Sequence, residues 1–226
     1  AKEFWASRPQ AYYDFVDYHF YSVNAAGQSW DSKPSLVTDR IRPFLGSQGD
    51  GGKAIWNGET TFVATPDSSL VGKKGGSWNV VYLSEKEQAM RLVQWYVQSK
   101  AVGIVRNFWY TVRGEAGVIN EDFSPKPAYV AHSNIVNLLR NKSYDPTSFV
   151  TTSNPEVRAY GFRAGTNSYL KVLWTASGTQ TLYASPQSAN INVVSMTGVR
   201  KPLTGGLTLS GEPVSLESTQ PFSLSQ

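Results

Sequence analysis

Three strand-like apolar runs, each followed by a helix-like one, fill the first 140 residues, and this order is the strongest constraint on the fold. Strands that alternate with helices pair in parallel, because a helix is needed to carry the chain back to the start of the next strand. The first run is Tyr12-Tyr-Asp-Phe-Val-Asp-Tyr-His-Phe-Tyr-Ser22, aromatic enough for a buried strand. Phe4 to Gln10 before it reads as the tail of a helix, and Pro34 to Leu45 after it as a further helix. Lys53-Ala-Ile-Trp-Asn-Gly-Glu-Thr60 is the second strand, and residues 61–83 form a long Gly/Ser/Lys-containing loop. Ser84-Glu-Lys-Glu87 is a capping box that predicts a helix from Glu85 to about Ala101, with Ala89, Leu92, Val93, Tyr96 and Val97 on its apolar face. Gly103 stops it, and Ile104 to Thr111 is the third strand. Pro125 and Pro127 introduce a last helix through Arg140, with Ala128, Ala131, Ile135, Leu138 and Leu139 inward.

The pattern changes near residue 145. The stretch 141–153 reads as a joint. Beyond it, Glu156–Arg163, Tyr169–Trp174, Thr179–Ala184, Ile191–Ser195, Leu207–Leu209 and Pro213–Leu216 are short strands at roughly ten-residue spacing. Turn residues separate them, the signature of a small antiparallel β-sandwich. The expected division is therefore residues 1–145 and residues 146–226.

Composition narrows the function. With no cysteine, a disulfide framework, a thiolate metal site and a cysteine nucleophile are all excluded. Two histidines exclude a multi-histidine metal site, and no cofactor is implied. No apolar run approaches ~18 residues, so no membrane span is expected. The net charge is +4 and the longest basic run is Lys73-Lys74, which gives nucleic-acid binding little support. Only 17% of residues are charged, and the Ser/Thr/Asn/Trp/Tyr-rich profile suits an extracellular or cell-surface protein. The chain starts at Ala1 without a charged or apolar leader, which reads as a processed, cut or incompletely represented chain.

In parallel βα units, functional groups collect at the carboxyl ends of strands. Three such ends stand out here. The first carries His19 and Tyr21, which period-two alternation places on one side. The second carries Trp56, Asn57 and Glu59, and the third Trp109 and Tyr110. A carboxylate can attack an anomeric carbon, a tyrosine hydroxyl can keep that carboxylate ionised, and aromatic faces can stack on sugars. Each residue alone also has a plain reading as a packing or surface group. Asn120-Glu-Asp122 follows a turn and reads as a loop. The Gly49–Gly52 cluster precedes a strand and lacks a following Lys-Ser/Thr, so it is a turn rather than a phosphate loop.

Taken in order, these segments resemble the C-terminal portion of (β/α)8-barrel retaining glycoside hydrolases, the clan with catalytic glutamates on barrel strands four and seven. The β-xylosidase/α-L-iduronidase-like and cellulase-like families are nearest. Asp17-Tyr-His-Phe-Tyr-Ser22 resembles the sixth strand and Lys53-Ala-Ile-Trp-Asn-Gly-Glu-Thr60 the seventh, whose glutamate is the nucleophile and maps onto Glu59. Ser84-Glu-Lys-Glu-Gln-Ala89 resembles the start of the seventh helix, and Val105-Arg-Asn-Phe-Trp-Tyr-Thr-Val-Arg113 the eighth strand. Gly117-Val-Ile-Asn120 with Pro125-Lys-Pro-Ala-Tyr-Val-Ala131 resembles the closing signature. The later strands resemble the sandwich appended in several such families.

The resemblance implies a partial barrel followed by a β-sandwich. It also implies a carbohydrate substrate and a retaining mechanism. Glu59 would be the nucleophile, Tyr21 would position it, and His19 would contact substrate or the acid/base. Trp109, Tyr110, Trp56 and Asn57 would line the sugar site. Gly58 stands where threonine is usual and Thr61 where glycine often follows. Nothing matches the fourth-strand Asn-Glu, so the acid/base is expected outside this sequence. A barrel needs ~250 residues. The missing N-terminal half would come from the same or another chain, and the isolated chain is expected to be inactive. The competing expectation is a non-catalytic extracellular carbohydrate-binding or structural protein derived from a glycosidase.

Overall fold

The computed structural model describes residues 13–20, 32–75, 80–148, 150–186 and 190–226. The helix expected at residues 4–10, and Tyr21, lie outside these. The chain divides into two compact units, Ala1–Ser84 with Gln98–Phe123, and Glu85–Val97 with Ser124–Gln226.

The first unit is built on three parallel strands, β1 (Phe15–His19), β2 (Ala54–Thr60) and β7 (Ile104–Trp109), in the order β1-β2-β7. The chain between β1 and β2 contains α1 (Ser32–Leu36), a π turn (Val37–Ile41) and α2 (Arg42–Ser47), where one helix was expected. Pro43 sits in the first turn of α2, directly after the π turn. The 61–83 stretch is not a bare loop. It contains two short ladders, β3 (Ala64–Thr65) with β6 (Leu83–Ser84), and β4 (Lys74–Gly75) with β5 (Val80–Val81). Tyr82 Oη donates to Glu115 at 2.9 Å and ties this stretch to the segment after β7.

Helix α3 (Glu85–Ala101) contributes its first thirteen residues to the second unit and its last four to the first. Ala89, Leu92, Val93 and Val97 of its expected stripe are buried and Tyr96 is half-buried, but Gln88, Gln94, Trp95, Gln98 and Ser99 are buried too. The helix is therefore enclosed on more than the one face that the periodicity indicated.

The second unit holds α4 (Pro127–Leu139), buried through Ala128, Ala131, Ile135, Leu138 and Leu139 as the spacing predicts. It also contains two sheets. One has six strands, in the order β14 (Arg200–Pro202), β13 (Ile191–Val194), β16 (Val214–Ser218), β11 (Tyr169–Thr175), β10 (Val157–Arg163) and β8 (Ser143–Tyr144). The other has four, β15 (Leu207–Leu209), β12 (Gln180–Ser185), β17 (Ser223–Ser225) and β9 (Val150–Thr151). Leu173, Leu182, Leu209, Leu216 and Leu224 form the dry core of this unit. The stretch expected to be a joint carries β8 and β9, each hydrogen-bonded into one sheet. Both helices are fastened within this unit. Asn134 Nδ2 donates to the carbonyls of Ser195 and Met196, and Gln94 Nε2 donates to that of Gly211. No helix among the described residues is long and apolar enough to cross a membrane.

Candidate active site

The ends of β1 and β2 are brought together by a break in register. Asp17 pairs with Trp56 and Tyr18 with Asn57, but His19 pairs with Glu59, so Gly58 is an extra residue on β2. The β2–β7 ladder slips over the same stretch, from Asn57–Asn107 to Thr60–Trp109. A bulge of this kind re-aims the side chains that follow it. Simple alternation would put Asn57 and Glu59 on one face, whereas the structure separates them.

Asn57 is fully buried. Its Oδ1 accepts the Phe20 N–H at 3.2 Å and its Nδ2 donates to Asn107 Oδ1 at 3.1 Å, so the side chain links all three strands. The Phe20 N–H is shared with the Glu59 carbonyl at 3.1 Å, and Thr60 Oγ1 donates to the Phe20 carbonyl at 2.7 Å. The backbone on either side of Glu59 is thus fixed by buried hydrogen bonds.

Glu59 itself faces His19, with Nδ1 of the imidazole 3.3 Å from Oε2. The other ring nitrogen lies 3.5 Å from Asp17 Oδ2. The His19 side chain is 51% exposed and that of Glu59 24%. Asp17 Oδ1 accepts the Gly58 N–H at 2.6 Å. Next to this polar group runs an aromatic ladder. Phe15 stacks on Trp56 at 3.8 Å between ring centres, and Trp56 meets Phe108 at 6.0 Å. Phe15 and Phe108 are both exposed. A sheet face that carries exposed stacked aromatics beside a histidine and two carboxylates is unusual for a finished core.

At the third strand end the two aromatics part company. Trp109 is half-buried. Its Nε1 donates to the Ala116 carbonyl at 2.8 Å and its ring packs on Phe62 at 5.9 Å. The same carbonyl accepts Thr61 Oγ1 at 2.6 Å. Tyr110 is exposed, and its backbone N–H donates to the Thr60 carbonyl at 2.9 Å. Sequence reasoning missed Asp17, although it lies two residues before His19 and shares its side of β1 by alternation. Among the described residues, no group of three or more His, Asp or Glu side chains could hold a metal ion.

No family model and no curated protein matches this chain. Solved structures do match it. A family 39 glycoside hydrolase from Bacteroides cellulosilyticus aligns over 96% of this chain and 46% of its own, with a TM-score of 0.71 and 18% identity. A glucosidase from Croceicoccus marinus aligns over 97% and 56%, with a TM-score of 0.61 and 9% identity. An endoxylanase of family 30 from Clostridium papyrosolvens aligns over 91% and 49%, with a TM-score of 0.56 and 12% identity. At these identities the likeness is one of fold. The chain spans about half the length of the glycoside hydrolases that it matches.

Proposed function

We propose that this chain is the C-terminal part of a retaining glycoside hydrolase, with Glu59 as its nucleophile. The observation that carries the reading is the placement of Glu59. It is the last residue but one of the central strand of a parallel sheet, beside His19, on a face lined by Trp56, Phe108 and Phe15. In parallel barrels, chemistry collects at this end of the strands. The exposed aromatic face and the three-stranded sheet fit a barrel whose other strands lie outside this sequence.

In the first step a Glu59 carboxylate oxygen bonds to the anomeric carbon. The bond to the leaving oxygen breaks, and a second carboxylic acid protonates that oxygen. In the second step the same group takes a proton from water. The water oxygen bonds to the anomeric carbon and Glu59 is released. That second carboxyl lies outside this sequence, ~5–5.5 Å from Glu59 in the complete site. His19 contacts the substrate or the acid/base. Trp56 and Tyr110 form walls of the sugar site, and Trp109 braces the strand end through the Ala116 carbonyl. Asn57 holds the bulge that presents Glu59.

The test is Glu59→Gln in the complete protein, assayed on aryl glycosides of xylose, glucose and arabinose. The expected result is a loss of at least about 10³-fold in kcat. Unchanged turnover would refute the assignment. A complete protein that binds oligosaccharides without ever cleaving them would point to a non-catalytic descendant.

A further inference from the structure

Glycine at position 58, where the glycosidase pattern has threonine, is left unaccounted for by the nucleophile reading. The structure shows what takes up the space. Asp17 reaches from β1 to β2, accepts the Gly58 N–H at 2.6 Å, and directs its other oxygen to His19 Nε2 at 3.5 Å. A Cβ on residue 58 would stand 2.6 Å from Asp17 Oδ1 and 2.8 Å from its Cγ. Those separations are far inside van der Waals contact. A side chain at position 58 and the Asp17 carboxylate in its present place therefore exclude each other.

The consequence falls on His19. One ring nitrogen faces Glu59 and the other faces Asp17, so the ring lies between carboxylates from two strands. An imidazole is oriented, and its tautomer selected, by what its second nitrogen meets. We propose that Asp17 is a positioning residue that sets the orientation and proton distribution of His19 opposite Glu59, and that Gly58 is the space kept open for it. The inference rests on the reading of Glu59 as the reacting group, which the experiment tests separately.

The experiment uses the complete protein with Asp17→Ser, Gly58→Ala and the double variant. The ring 15N resonances of His19 are followed by NMR, and kcat and KM are measured on p-nitrophenyl β-D-xyloside. The two signals are assigned by their loss in His19→Gln and in His132→Gln, and His132 serves as the internal control. Each single variant should move the His19 resonances and leave those of His132 in place. Each should lower kcat about tenfold, the worth of one hydrogen bond to a charged group. KM should stay within about twofold, as expected when only the reacting centre is disturbed. Both substitutions break the same contact, so the double variant should resemble either single one. Unmoved His19 resonances in Asp17→Ser, or additive losses in the double variant, would overturn the proposal. Asp17→Asn can still accept the Gly58 N–H, and it repeats the NMR test should Asp17→Ser fold poorly. Should Glu59→Gln retain turnover while the His19 resonances still respond, the nucleophile reading falls and the positioning of His19 stands.

Discussion

His19 and Glu59 face each other at 3.3 Å because β2 holds one residue more than β1 between their last paired positions. That residue is Gly58. The contact is a product of strand pairing, and it places a carboxylate beside a group that can donate or accept a proton. A nucleophile held in this way should be recognisable by what replaces it. Glu59→Ala in the complete protein leaves a gap on the attacking side of the anomeric carbon. A small anion such as azide can enter that gap. The expected outcome is restored turnover of an activated aryl glycoside, with a glycosyl azide of inverted configuration as product, detectable by proton NMR. Azide that restores activity with retained configuration would place Glu59 on the leaving-group side instead.

The 226-residue chain expressed alone should not hydrolyse aryl glycosides above the buffer rate. One carboxylate cannot act both as nucleophile and as proton donor to the leaving group. The complete protein is the positive control. Turnover by the isolated chain that disappears in Glu59→Gln would show that both roles are supplied within this sequence, with Asp17 as the first residue to examine.

Asn57 should act on stability rather than on substrate affinity. Its amide is buried and engaged at both ends, with Phe20 and with Asn107. Asn57→Ala removes the donor to Asn107 Oδ1 and one of the acceptors of the Phe20 N–H, at a cost of about 1–3 kcal/mol. A fall in Tm with KM little changed is the expected pattern, read by thermal denaturation and steady-state kinetics. A large rise in KM at unchanged Tm would show instead that Asn57 meets the sugar.

Trp109 and Tyr110 should separate in the same pair of measurements. The Trp109 indole N–H ends on the Ala116 carbonyl, so Trp109→Phe should cost about 1 kcal/mol of stability. Tyr110 is exposed, and Tyr110→Ala should leave Tm nearly unchanged while raising KM for an oligosaccharide. Equal effects of the two variants on KM would assign both rings to the sugar site.

The sequence reading was strongest where one physical rule governed a segment. Helix α4 packs a single stripe, so its five inward residues follow from 3.6 spacing alone. Helix α3 has the same kind of stripe, yet Trp95 and three glutamines are buried as well, because enclosure on several sides leaves no periodic trace. The strands β8, β9, β14 and β17 span two or three residues each, too few for alternation to register. At the candidate site, the residue types at the strand ends were legible and the register was not. Alternation places Asn57 with Glu59. The slip at Gly58 reverses that, and it depends on pairing with two neighbouring strands that no local pattern encodes. Asp17 was legible only in part: alternation puts it on the side of His19, but its partner Gly58 is 41 residues away.

The sandwich contains a buried lysine whose titration should be measurable. Lys171 is 2% exposed on β11, donates to Ser148 Oγ, and lies 5.1 Å from the Phe222 ring. Burial lowers its pKa to about 8, against a partial opposing effect from Asp145. Asp145 itself is held below the usual carboxylate range, chiefly by its hydrogen bond from Thr147, and stays ionised throughout. Between pH 8 and about 10.5 the unfolded chain carries a proton on this lysine that the folded chain has released. Stability from this group therefore rises with pH across that window, by about 1–2 kcal/mol. Lys171→Met removes the titrating group and should be at least as stable as the parent at pH 7, since no charge is then buried. Urea unfolding of both proteins at pH 7, 9 and 10.5 gives a difference curve that cancels the groups they share. The parent should gain on the variant as pH rises. A flat difference curve would mean that Lys171 titrates at an ordinary value and that its ammonium is solvated.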